Sequence, residues 1–385
     1  MRNNNELAVL LGNGVSIAAN NDLFIPTLTR EIRERFEKSE AGGEAPDRVL
    51  ARLAHRGRET GDPYKDFEAM IGPLDQQKDN LHDLRELAEL VAGESRALGR
   101  AITTIETFVQ SLRRLGVGHA LDIIASRSVA HYDQRRVVEN FLRDVVYAVD
   151  GPVTVGNLNY DSLAMAGLIN VAGSQMCDMV WGYSPRKFDI MNDGFPLEGA
   201  RMRTSLSDFP SRRIRLVHPH GSLTWLRNPD TGRVYRFDIG DLRDVDYWSA
   251  WRDGKTEWEP QVVLTNQSAK SDVVARAPFN LAYEVLAERL KTADRWLIAG
   301  YSFRDECVNQ MLARVWAARK EAPNVMVVTH GDSLTEDVVL EALGYNDFTD
   351  PEVEEFLTIC RCGVEHASSC GQWSGWAGKP ESLSA

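Results

Sequence analysis

Between residues 278 and 344 the chain repeats one pattern, a helix-length amphipathic segment followed by a short, uniformly apolar run. PFNLAYEVLAERLKTA (278–293) reads as a helix, RWLIAGYS (295–302) as a strand and DECVNQMLARVWAARK (305–320) as a helix. NVMVVTHGD (324–332) then reads as a strand and SLTEDVVLEALG (333–344) as a helix. Strands that are apolar throughout are covered on both faces, and this alternation implies βαβ units around a parallel sheet. ELAVLLGNG (6–14) and GPVTVGNLNYDSLAMAGLI (151–169) carry the same strand-to-turn signal, and QVVLTN (261–266) reads as a further buried strand. MVWGY (179–183) is a short candidate strand. Residues 184–260 look irregular, with strands inside RIRLVHPHGSLTWL (213–226) and RVYRFDI (233–239). The expected fold is α/β: a Rossmann-like parallel sheet with helices on both faces, plus an inserted all-helical module.

The insertion follows the first strand. PTLTREIRERFEK reads as a helix with Pro26 near its start and Thr29 as candidate cap. DPYKDFEAMIGPL (62–74) places Phe67, Met70, Ile71 and Leu74 at helical spacing, and residues 81–149 read as almost wholly helical. From about residue 346 the periodicity fades, and the tail is expected to be partly loose. The expected division is 1–40 with 151–345 as the nucleotide-binding unit, 41–150 as the helical module and 346–385 as the tail.

Composition removes several classes. The formal net charge is -12, so the chain is a poor general binder of nucleic acid or anionic membrane. No run of about 18 apolar residues offers a membrane span. Five cysteines, an odd number in a long chain, do not form a disulfide framework. A cytoplasmic protein is expected.

Parallel α/β sheets bind ligands outside the carboxyl ends of their strands, and four polar clusters fall at or near such positions. Gly12-Asn13-Gly14-Val15-Ser16 ends the first strand. Its glycines and the following helix start suit a phosphate, although Ile17 stands where a dinucleotide fingerprint has its third glycine. Asn157-Leu158-Asn159-Tyr160-Asp161 ends another strand, where Asn and Asp also serve as turn formers and caps. HPHGSLTW (218–225) reads as a strand whose two histidines share a face, an arrangement met in metal sites, yet no third ligand stands near. Gly300, Ser302 and Asp305 occupy a strand-to-helix junction, where Asp305 also suits an N-cap.

In order and spacing, these clusters resemble the sirtuin-like NAD-binding domain, and more closely its bacterial branch of antiphage defence effectors. The matching motifs are Gly12, Gly14 and Ser16; Asn159-Tyr160-Asp161; His220 followed by Gly221 and Ser222; and Gly300, Ser302 and Asp305, with Asn309 one helical turn on. The resemblance spans roughly residues 6–345. It implies that Asn159 positions the nicotinamide ribose or the attacking water, that Asp161 orients polar groups or stabilises positive charge, and that His220 accepts a proton. Gly12, Asn13, Gly14 and Ser16 would face the pyrophosphate and nicotinamide; Gly300, Ser302 and Asp305, with Thr329, would lie near the adenosine half. The zinc ribbon of deacetylating sirtuins, with its two Cys-x-x-Cys pairs, has no counterpart here, and neither has their Asp-Phe-Arg segment. Both absences favour plain NAD⁺ cleavage.

The resemblance therefore implies an NAD⁺ hydrolase with NAD as substrate and no metal, acting as a homo-oligomer. It also implies control by a partner such as a HerA-type DNA-translocating ATPase or a short Argonaute. ADP-ribosyl transfer and a non-catalytic NAD⁺- or ADP-ribose-sensing subunit stay open as alternatives. His218 reads as structural beside His220. Trp225, Trp248, Trp251 and Trp258 read as packing or interface residues. CRCGVEHASSC, with Cys360, Cys362, His366 and Cys370, leaves a zinc site conceivable, though its Cys-x-Cys spacing is unusual.

Overall fold

A computed structural model describes residues 5–39, 45–56, 70, 96–129, 135–182, 184–264, 267–345 and 353–377. The first part runs β1 (Leu7–Leu11), α1 (Asn13–Ala19), α2 (Ile25–Ser39), α3 (Ala45–Arg56), α4 (Arg96–Val129) and α5 (Arg135–Tyr147). The middle holds β2 (Val153–Asn157), α6 (Leu163–Ala172), β3 (Met176–Cys177), β4 (Arg186–Phe188), β5 (Leu197–Arg201), β6 (Ile214–Val217), β7 (Gly221–Arg227), β8 (Val234–Arg236), α7 (Ile239–Asp244), α8 (Tyr247–Arg252) and β9 (Glu259–Val262). The last part holds α9 (Gln267–Val274), α10 (Phe279–Thr292), β10 (Arg295–Ala299), α11 (Glu306–Ala317), β11 (Asn324–Val328), α12 (Glu336–Ala342), α13 (Val353–Phe356), β12 (Leu357–Cys360) and α14 (Gly371–Ala377).

Seven strands pair in the order β12-β11-β10-β1-β2-β6-β3, all parallel. Their alternation explains the unbroken apolar runs. Leu7, Val9 and Leu11 of β1 join Val153, Val155, Leu297 and Met326 in one core, with α5 and α6. Ala8 and Leu10 join Trp296, Ile298, Val325 and Val327 in a second, with α10 and α11. Each strand buries both of its faces, and helices cover the sheet on both sides, as the sequence pattern requires.

A second sheet was not legible in the sequence. Strands β4-β5-β8-β7-β9 pair antiparallel, so the irregular region is a small β-layer. The run expected over 261–266 contributes β9 to this layer rather than to the parallel sheet; Thr265 and Asn266 lie outside the described residues. Trp225, Trp248, Trp251 and Trp258 are all buried in the cores, so these four pack rather than face a partner.

Four further local expectations need correction. Helix α2 begins at Ile25, and the Thr29 hydroxyl donates back to the Ile25 carbonyl at 2.7 Å, so Thr29 lies inside the helix instead of capping it. The short strand near 179–183 is displaced to Met176–Cys177, and Val180 makes only an isolated bridge to Met202. His218 and His220 do not share a strand: Pro219 interrupts the ladder, and Gly221, at φ +81°, turns the chain from β6 into β7 of the other sheet. Finally, the tail is not loose over 353–377. Its β12 extends the parallel sheet, and Trp373 and Trp376 are buried, with the Trp376 indole donating to the Asn324 carbonyl at 3.1 Å.

The long α4 rises about 51 Å at 1.5 Å per residue. It packs on α2, α3 and α8 and is tied to the β9 region by ion pairs from Arg113 to Glu259 and from Arg114 to Glu257. The helical spacing expected over 62–74 and 81–95 lies outside the described residues, apart from Met70. No helix among the described residues is long and apolar enough to cross a membrane.

Candidate functional site

The strand order places the carboxyl ends of β11, β10, β1, β2 and β6 side by side, and every candidate residue lies on or just beyond one of them. Between β1 and β10 the chain connectivity reverses direction across the sheet, the place where such sheets open a crevice.

The glycine loop meets another loop there. The Gly12 N–H donates to the Ala299 carbonyl at 2.9 Å, and the Gly14 N–H to the Gly300 carbonyl at 2.8 Å. A Cβ on Gly14 would stand 2.7 Å from Gly300 Cα; one on Gly300, at φ +62°, would stand 2.6 Å from the Val15 nitrogen. All three glycines are required by this backbone-on-backbone contact. The Val15 N–H is also engaged, with the Gly12 carbonyl at 3.1 Å. The loop thus keeps fewer free donors for a phosphate than its sequence suggests. Asn13 is likewise committed: its Nδ2 donates to the Leu23 carbonyl at 3.0 Å, bracing the turn that leads into α2.

The Asn-x-Asp turn is stitched to this loop. Asn159 Nδ2 donates to the Gly12 carbonyl at 3.0 Å, and its Oδ1 takes no hydrogen bond among the described residues. Ser16 Oγ donates to Asp161 Oδ2 at 2.6 Å, while Asp161 Oδ1 accepts from the Leu163 N–H at 3.0 Å. Burial raises the Asp161 carboxyl above its ordinary range, against the pull of the Ser16 and Leu163 bonds. The same turn anchors the next segment, since the Tyr160 carbonyl accepts from the Leu223 N–H at 2.9 Å and the Tyr160 hydroxyl donates to Val263.

His220 is nearly inaccessible. Its Nε2 lies 3.2 Å from the Tyr283 hydroxyl and 3.3 Å from Asp305 Oδ2, and Asp305 is ion-paired with Lys270. Asp305 also caps α11 through the Val308 N–H at 3.1 Å. Burial, then the Lys270 charge, lowers the His220 pKa to about 3, against the opposing pull of Asp305 and the Leu158 backbone. Burial works against ionisation of Asp305, but His220 and Lys270 hold its carboxyl below the ordinary value; with His220 neutral, the Lys270 ammonium carries that effect. Burial, reinforced by the Asp305 charge, keeps Tyr283 a phenol, so it stays a hydrogen-bond donor.

His218 has no such partners. It is 1% exposed, packs edge-on to Trp225, and neither ring nitrogen closes a hydrogen bond among the described residues. Burial and the Arg236 charge lower its pKa to about 4, and the Asn159 backbone opposes that shift without forming a well-directed bond.

The structure therefore joins Gly12, Gly14 and Gly300, Ser16 with Asp161, Asn159 with Gly12, and His220 with Asp305. The last contact brings together two residues that the resemblance assigned to opposite halves of a dinucleotide. Ser302 is exposed at the β10 end and its hydroxyl has no partner among the described residues. Thr329 stands one strand further, its backbone bonded to Cys360 and Gly363 rather than to the other candidates. Lys270 and Tyr283 were not singled out from the sequence. Tyr283 follows Phe279 by four residues on α10 and reads there as core, and Lys270 lies in a polar segment without periodicity.

As a test of fit to NAD, the Asn159 Oδ1 beyond β2 and the exposed Ser302 hydroxyl beyond β10 are unengaged among the described residues, whereas His220 is buried against Tyr283 and Asp305 and the glycine loop is filled by its neighbour. Residues 157–347 match the family described as SIR2-like domain. The matched stretch contains Asn159, Asp161, His220, Lys270, Tyr283 and Asp305 but not the first strand and its glycine loop. No curated protein gave a match to the chain. The parallel sheet is consistent with that family's fold, and the match supports a sirtuin-like family, and with it an NAD-related activity, for this chain.

Proposed function

We propose that the chain hydrolyses NAD⁺ to nicotinamide and ADP-ribose. The observation that carries this reading is His220, held buried against Asp305 and Tyr283 just beyond the carboxyl end of β6 in the parallel sheet, within the stretch 157–347 that matches the SIR2-like domain.

The chemistry asks for little nucleophilic power. The C1′–N bond breaks with its electron pair going to nicotinamide, leaving a cationic ribose, and water adds to C1′. Water bonded to such a carbon is strongly acidic, so a weak base suffices to take its proton, which then passes to solvent. His220 serves as that base because it is neutral at pH 7. The free Asn159 Oδ1 orients the water or the ribose hydroxyl. Asp161, tied to Ser16, holds the turn that presents Asn159. Ser302 and Thr329 offer hydroxyls to the rest of the dinucleotide, and Gly12, Gly14 and Gly300 shape the crevice wall.

The absence of Cys-x-x-Cys pairs favours hydrolysis over acyl-lysine chemistry. We extend the proposal to a cytoplasmic antiphage effector, a homo-oligomer released from restraint by a partner of the HerA-type ATPase or short Argonaute kind, because unrestrained loss of NAD⁺ would harm its host.

The test is incubation of the purified chain with NAD⁺, with and without such a partner, following free nicotinamide and ADP-ribose. Both products should appear together, and His220→Ala and Asn159→Ala should each abolish them with unchanged circular dichroism. Wild-type turnover in both variants would refute the assignment; nicotinamide release with label transferred to a macromolecule would replace hydrolysis by ADP-ribosyl transfer.

A further inference from the structure

We propose that Cys360, Cys362 and Cys370 form a binding site for a thiophilic d¹⁰ cation of the zinc class. Cys360 ends β12, Cys362 lies two residues on, and Cys370 immediately precedes α14. Their sulfurs lie within 4.8 Å of one another, with Cys360 Sγ and Cys370 Sγ 3.3 Å apart. All five cysteines of the chain are free thiols, and only these three converge.

Sulfurs arranged around tetrahedral zinc, with Zn–S near 2.3 Å, stand about 3.8 Å from one another. The three thiols therefore need to move by only fractions of an ångström to reach that spacing. Burial of Cys360 gives the site a fixed floor, and the exposure of Cys362 gives a cation a way in. Binding converts three thiols into three thiolates with release of their protons to solvent. No electron is transferred, and the fourth position is left to water on the Cys362 side.

The surrounding backbone is already shaped as a clip. The Thr329 N–H donates to the Cys360 carbonyl at 2.8 Å, the Gly363 N–H donates to the Thr329 carbonyl at 2.9 Å, and His330 bridges to Cys362. A cation held here would clamp the loop after β11 to the edge strand and to α14. The site stands apart from His220, so it does not depend on the NAD⁺ reading.

The experiment uses the full chain, reduced with a phosphine and stripped by a chelator, then titrated with Zn²⁺ against a chromophoric competitor. Cd²⁺ serves as a second probe, read by thiolate-to-metal charge-transfer absorption. Wild type and Cys307→Ser should each bind one equivalent. Cys362→Ser, at an exposed position that tolerates the change, should weaken binding at least about tenfold, and Cys362→Ser/Cys370→Ser should abolish both the affinity and the charge-transfer band without changing the circular dichroism. Two results would each overturn the site: zinc held no more tightly by wild type than by the double variant, or a full equivalent and its cadmium band retained in the double variant.

Discussion

Acid should unfold this protein through its histidines. His220 and His218 are buried and neutral, with folded pKa values of about 3 and about 4, against 6.5 for an exposed imidazole. Both are depressed, so between these values and 6.5 the unfolded chain binds protons that the folded chain refuses. Stability therefore falls as pH falls through 6.5. Each histidine contributes a slope of at most about 1.4 kcal/mol per pH unit, and weighting by the unfolded protonation gives about 2 kcal/mol lost between pH 6 and pH 5 for the pair. His119, lowered to about 4 by burial and then by the Arg252 and Arg35 charges, adds to the loss with the same sign. Asp161 acts oppositely: burial raises its carboxyl, so the folded state is there the better proton binder. Against a total of about 5–15 kcal/mol for a typical domain, the histidine loss is large. The assay is a set of urea unfolding curves from pH 7 to pH 5, on wild type and on His218→Leu. The leucine variant removes one titrating group and two unpaired nitrogens, so its slope should be visibly shallower and its stability at pH 5 higher. A wild-type curve that shifts by less than about 0.5 kcal/mol over this range, or equal slopes in both proteins, would refute the reasoning.

Two further outcomes follow from packing and charge. Gly300→Ala places a side chain at φ +62° against the Val15 nitrogen and should cost about 3 kcal/mol in a urea melt, whereas Gly99→Ala, with open space around it in α4, should stabilise by about 0.5–1 kcal/mol. Asp305→Asn leaves the Lys270 ammonium, 9% exposed, without its anion and should cost about 3–5 kcal/mol, most of it recovered in Lys270→Met/Asp305→Leu; equal losses in the single and double variants would show that the pair does not matter.

The parallel sheet was legible because strands buried on both faces must be apolar throughout, and β1, β2, β10 and β11 are. The antiparallel layer was not, because β4 and β8 are three residues long and carry arginine or lysine, too short to show a period. The tail escaped for a similar reason: β12 is four residues long, and the chain is anchored there by Trp373 and Trp376, whose spacing alone signals nothing. Motif order brought Asn159, Asp161, His220 and Asp305 to one edge of the sheet, but it could not show that His220 and Asp305 touch. That contact bridges the ends of β6 and β10, two strands separated by β1 and β2, or about 14 Å of sheet. Nor could it anticipate Lys270, a long cationic side chain that reaches the pair from a different helix.

The three-glycine contact carries a practical consequence for anyone grafting this crevice onto another scaffold. The loop after β1 and the loop after β10 are 288 positions apart in the chain (12 to 300), yet neither has a self-sufficient shape: each is the mould for the other. A chimera that exchanges only the amino-terminal segment would set a foreign loop against Gly300, and any side chain it brought to position 14 would strike backbone. The smallest transplantable unit is the pair of loops, so a swap boundary drawn anywhere between them needs both ends taken from the same parent.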